Sequence, residues 1–263
     1  MKEYSNIVYN KHEFSRNKCL KNSVFKGCHF EKCDLSEYTF TNCEFISCEF
    51  IKCKFAHAFI GHNRGLKSGK YLNCTFKNSD FTNVNFRFPV IENCIFENCD
   101  LFETNFDGSR FKNTRFIGLL DSCFFRGHSI DARGFKFFLV KKIDFKVVPN
   151  LMQHVDFVEA KLVGVTFSDG IDLSTCVFPS GENYVFVRDL KNTMQNAAEI
   201  VSKEWKEERK KKIALSMINE FYYRDEFRGQ KSNFYDAFIL KEGDVIEGNE
   251  DGMDLYNLIK SLA

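Results

Sequence analysis

The sequence predicts an all-β solenoid of square cross-section, followed by a C-terminal α-helical tail. Three observations carry this. A large apolar residue, nearly always Phe, recurs on every fifth position. A small residue, often Cys, stands two places ahead of it. Beyond Phe178 this pattern gives way to apolar spacings of three and four.

The large residues run Phe25, Phe30, Leu35, Phe40, Phe45, Phe50, Phe55 without a miss. They resume, shifted by one residue, as Phe76, Phe81, Phe86, Ile91, Phe96, Leu101, Phe106, Phe111, Phe116. Shorter sets follow: Phe125, Ile130, Phe135; Phe157, Leu162, Phe167; Leu173, Phe178. A period of five matches neither helix nor strand. Each unit must turn two side chains inward and three outward, then bend. A bend of roughly 90° per unit closes a square in four units and stacks equivalent residues at about the 4.8 Å strand spacing. Phe76, Phe96 and Phe116 then form one column, with Cys28 under Cys48, Cys33 under Cys53 and Cys74 under Cys94. Large over large and small over small fills a narrow shaft without voids. Tyr38 and Pro89 are the clearest departures at the small position.

Composition agrees. The chain has 31 Phe among 263 residues, with one Trp and three Pro, and its longest apolar runs are too short for a membrane span. The first residues, MKEYSNIVYNKHEF, lack the apolar centre of a signal peptide, so a cytoplasmic protein is expected. Eleven cysteines, an odd number, spaced by five and never by the short gap of zinc knuckles, read as small buried packing residues. The 37 basic and 36 acidic residues leave a net charge of +1. Residues 1–180 are net +4 and the remainder net −3, so direct nucleic-acid binding is not expected.

These units, a small residue, a polar one, then Phe or Leu and two variable positions, resemble the pentapeptide-repeat family over about residues 20–180. The resemblance implies a right-handed quadrilateral β-helix. The Cys–polar–Phe flavour is also similar to the quinolone-resistance members that protect DNA gyrase. The resemblance therefore implies three roles: a non-enzymatic scaffold for a macromolecular partner, a gyrase or topoisomerase modulator, or a bacterial secreted effector. Residues 1–19 are expected to cap the rod.

Interruptions near 56–73, 117–122 and 139–154 are expected to leave the rod as loops. The first holds Arg64, Lys67 and Lys70, which are candidate partner contacts by analogy with the loops of gyrase-protecting relatives. Ile46 and Ile51 each follow a centre, are expected to face solvent, and mark a candidate apolar contact.

Residues 181–263 read as a helical capping or interaction region. Val187, Leu190, Met194, Ala197, Ala198 and Val201 predict an amphipathic helix. It bends near 206–212 or folds there into a hairpin ending near Gly229, and a last short helix starts near Gly252. The stretch NEFYYRDEFR resembles a helix near the C-terminus of some family members, with Glu220 and Arg224 as candidate contacts. Its apolar face suits capping of the rod or homodimerisation. The sequence lacks a glycine-rich phosphate loop, His-Glu-x-x-His and Gly-x-Ser-x-Gly. Neither enzymatic activity, a cofactor nor a metal is expected; the expected partner is a protein, and no membrane association is expected.

Overall fold

The computed structural model describes residues 1–14, 17–61, 69–106, 108–126, 152–168, 171–179, 184–187, 189–223, 235–241 and 251–263. Its larger part is a four-sided parallel β-helix. Side 1 stacks Lys2–Ser5, Ser23–Lys26, Glu44–Ile46, Lys70–Leu72, Val90–Glu92 and Arg110–Lys112. Side 2 stacks Val8–Asn10, His29–Glu31, Glu49–Ile51, Thr75–Lys77, Ile95–Glu97 and the start of Arg115–Asp121. Side 3 is held mainly by single bridges, Asp34 to Lys54 to Asp80 to Asp100, and later by Gly118–Asp121 against Ala160–Val163. Side 4 stacks Cys19–Lys21, Thr39–Thr41, Phe59–Ile60 and Asn85–Phe86, and above them Phe124–Arg126 on Thr166–Ser168.

The expected columns form. Phe76, Phe96 and Phe116 are in register, with ring centroids 4.7 and 5.0 Å apart and planes within 17° and 12°. Rings on neighbouring sides meet edge to face, as Phe76 and Phe81 do at 85°. Both geometries suit the aromatic quadrupole. The small position is more than a space-filler. Most thiols and hydroxyls there donate to the carbonyl of the centre one coil below, as Cys48 Sγ does to Phe25, Cys94 Sγ to Tyr71, Thr104 Oγ1 to Phe81 and Thr114 Oγ1 to Ile91. This explains why Cys, Ser and Thr interchange there. All eleven cysteines are free.

Each coil turns on a residue in the left-handed region two places after the centre. Nine of these are Asn, among them Asn73, Asn93 and Asn113. Asn tolerates this conformation better than most L-residues. These three also form a side-chain ladder with 3.0 Å links.

Four findings revise the expected boundaries. The coil begins at Lys2: Tyr4 pairs with Phe25 and Tyr9 with Phe30, so residues 1–19 supply most of a first coil. Phe76 lies on Phe50, and Phe55 on Phe81, so the step across the first interruption is 26 residues instead of 21. Residues 117–122 do not leave the rod, because Arg115–Asp121 is one continuous strand and Leu120 is buried. The coil is resumed by Met152, which is buried, and Gln153 N donates to Phe111 O, so 152–154 belong to the rod. Ile130 and Phe135 lie outside the described residues.

The tail contains α1 (Leu190–Glu204), α2 (Glu208–Tyr223) and α3 (Asp251–Leu262). Asp189 caps α1 by accepting from Asn192 N at 3.1 Å. Extended backbone at Trp205 ends it, so α1 and α2 are two packed helices. Val187 is not helical as expected but belongs to a strand, Tyr184–Val187, paired antiparallel with a second unexpected strand, Tyr235–Lys241. The latter also runs antiparallel to Thr166–Ser168, extending side 4 of the rod. Phe186 stacks on Phe178 at 4.3 Å, over the Phe157 column, while Val185 and Val187 join the helical core. The tail thus packs on its own rod.

Candidate interaction surface

With the shaft filled, what remains for function is the outside. Among the described residues, no group of three or more His, Cys, Asp or Glu is placed to hold a metal. Burial pushes the Cys43 thiol up to about 11, Cys99 to about 12 and Cys176 to about 11, so these are poor nucleophiles near neutrality. No described helix is long and apolar enough to cross a membrane.

The charged side chains of sides 1 and 2 are largely used on one another between coils. Lys26 pairs with Glu3 at 2.6 Å, Lys70 with Glu44 at 3.0 Å, Lys77 with Glu97 at 2.6 Å, and His29 Nδ1 lies 3.1 Å from Glu49. Lys18 pairs with Glu37 near the base of the rod. The candidate Lys70 is therefore engaged within a ladder. Ile46 and Ile51 lie on adjacent sides and are half-buried, each in register with a long neighbour, Leu72 and Lys77. They face outward but are not the exposed apolar residues of the rod. Glu220 lies in the last turn of α2. Arg64, Lys67 and Arg224 lie outside the described residues.

Two corners of the rod are distinctive. Residues 62–68 and 127–151 both connect side 4 to side 1, three coils apart. Together they carry seven basic and two acidic residues. The remainder of 1–180 holds 17 basic and 18 acidic residues, net −1, so the rod's positive charge sits in these two segments.

The opposite corner, between sides 2 and 3, carries a notch. From Phe116 to Leu120 the unit is four residues long, and Arg115–Asp121 runs past the position of the usual turn. Gly118, at φ +102°, lies hard against the coil below: a Cβ there would stand 3.0 Å from Asn98 Oδ1 and 3.2 Å from its Cα. A shallow depression results between Asn98–Phe102 on one coil and Leu119 and Asp121 on the next. Phe102 is 41% and Leu119 45% exposed. Sequence spacing gives no warning of these two, since outward positions have no periodic demand for apolar residues. The shortened unit was the available signal.

A family model for pentapeptide repeats matches residues 19–58 and 79–118 in eight copies. Those two stretches are pentapeptide repeats. Solved structures similar to the chain include two pentapeptide-repeat proteins and a fluoroquinolone resistance protein. HetL, involved in heterocyst differentiation regulation in the cyanobacterium Nostoc sp. strain PCC 7120, is 10% identical, with 68% of this chain and 88% of that one covered and a TM-score of 0.41. Rfr23 from the cyanobacterium Cyanothece 51142 is 14% identical over 43% and 83% of the two chains, with a TM-score of 0.33. QnrB1, a plasmid-mediated fluoroquinolone resistance protein, is 17% identical over 66% and 72%, with a TM-score of 0.32. No curated protein matches the chain.

Proposed function

We propose that this protein is a non-enzymatic, cytoplasmic scaffold that binds a protein partner through the corners of its rod. One observation carries the reading. The rod is a filled shaft; the basic segments 62–68 and 127–151 each fall in sequence between a side 4 strand and a side 1 strand, while the apolar notch opens between sides 2 and 3. The contact set on this reading includes Arg64 and Lys67 as well as the notch. The tail serves to close the rod, because Phe186 and the strand Tyr235–Lys241 cover its upper end. The inner faces of α1, α2 and α3 pack on one another, so a homodimer through the tail would use their outer faces.

The test is photo-crosslinking in cells of the full chain with a benzophenone amino acid at position 64, 102 or 220. Protein adducts from 64 or 102, with none from 220, are the expected result. Adducts from 220 alone would move recruitment to the tail. Protection of purified DNA gyrase from a quinolone would instead establish the gyrase-modulator role.

A further inference from the structure

We propose that the notch between sides 2 and 3 is the docking point for a short basic protein segment, one with an apolar side chain flanked by Lys or Arg. This rests on the scaffold reading and adds the partner's chemistry.

The first argument is placement. Phe102 directly follows its centre on side 3, where the coils below carry Ser36, Ala56 and Thr82. Leu119 directly precedes its centre, where the other coils carry Asp34, Lys54, Asp80, Asp100 and Lys161. Two exposed large apolar residues therefore break a largely polar face, and they do so together, at the one described coil whose turn from side 2 to side 3 is replaced by a continuous strand.

The second argument is charge. Elsewhere on the rod, Glu3, Glu37, Glu44 and Glu97 are matched by a cation. Around the notch Asp80, Asp100, Glu103 and Asp121 make no ion pair among the described residues. Asp100 accepts from Phe102 N at 3.1 Å and Asp121 from Ser122 Oγ at 2.9 Å, and neither donor is a cation. An apolar concavity ringed by unneutralised acids complements a cationic, apolar-anchored segment and repels phosphate. Lys54 below and Lys161 above bound the acidic stretch. Asp80 to Asp121 spans two coil steps, about 10 Å, and this matches roughly three extended residues.

The probe is a fluorescein-labelled peptide, Gly-Lys-Leu-Lys-Phe-Lys-Gly, titrated with the full chain and followed by fluorescence anisotropy. An acidic counterpart with Glu for each Lys is the control. The basic peptide is expected to bind at least tenfold more tightly than the acidic one and to weaken in 0.5 M salt. Phe102→Ser with Leu119→Ser should weaken it at least tenfold again. If that variant fails to fold, Glu103→Gln with Asp121→Asn should produce the same loss with packing retained. Equal binding by the folded variants, preference for the acidic peptide, or no binding of the basic one would each overturn the proposal. Adducts from position 64 in the presence of such a failure would leave the scaffold reading standing and remove only the notch.

Discussion

Replacing Phe76 by Ala would strike the middle of the shaft. Its ring lies between Phe50 and Phe96, with centroids 4.9 and 4.7 Å away, and meets Phe81 edge-on at 5.4 Å. It is 1% exposed. The cavity cannot close by side-chain collapse alone, because the rings above and below are fixed by ladders on both flanks. A buried Phe→Ala change costs about 3–5 kcal/mol, and the lost stacks put this one at the upper end. Urea unfolding followed by circular dichroism measures it. Phe102→Ala, at an exposed ring of the next coil, is the matched control and should stay within about 0.5 kcal/mol. A loss below about 1 kcal/mol at Phe76 would refute the filled-shaft account, since no surface position should exceed a core one.

Three further outcomes follow from the same geometry. Cys48→Ser should hold stability within about 1 kcal/mol, because a hydroxyl can donate to Phe25 O and Ile46 O as the thiol does, whereas Cys48→Leu should cost about 1–3 kcal/mol by overpacking; thermal unfolding separates them. Gly118→Ala should cost about 1–3 kcal/mol, since it combines a positive φ with a contact against the Asn98 backbone, read by the same method. Backbone hydrogen bonds from Ser36 and Ser174 hold the carboxyls of Asp34 and Asp172 below their usual 3.8. Both therefore stabilise the fold above that value, and their contribution fades as pH falls through the lower, folded-state value. Unfolding midpoints between pH 5 and 2 should fall less steeply in Asp34→Asn with Asp172→Asn than in the parent.

Much of the rod was legible because its core obeys a single spacing. Phe25 to Phe55 needed no other information than their separation. The error at the first interruption has a clear origin. Phe55 and Phe76 are 21 residues apart, close to one coil, and Tyr71 sits five before Phe76 as if nothing intervened. Only the ladder shows Tyr71 over Phe45, one five-residue unit away from the Phe50 that the spacing implies. The first coil was visible too, as Tyr4, Tyr9 and Phe14 are five apart, but Tyr in place of Phe hid it. In the tail, Val187 fitted a helical stripe by coincidence; the alternation of Val185, Phe186 and Val187 between two cores is the signal that decides. The strand Tyr235–Lys241 takes its role from pairing with a segment far back in the chain, and local spacing does not record that. The notch was hidden for a different reason: it arises from a missing residue, and its apolar side chains occupy positions where a solenoid tolerates anything.

The clasp between Tyr235–Lys241 and Thr166–Ser168 also bears on how the molecule is made. A parallel solenoid can wind from its first coil as it emerges from the ribosome. Here the last rung waits for a strand synthesised some seventy residues later. Until that strand arrives, the uppermost ring layer and its open edge stay sticky, so a nascent or truncated product is most vulnerable to aggregation at the growing end.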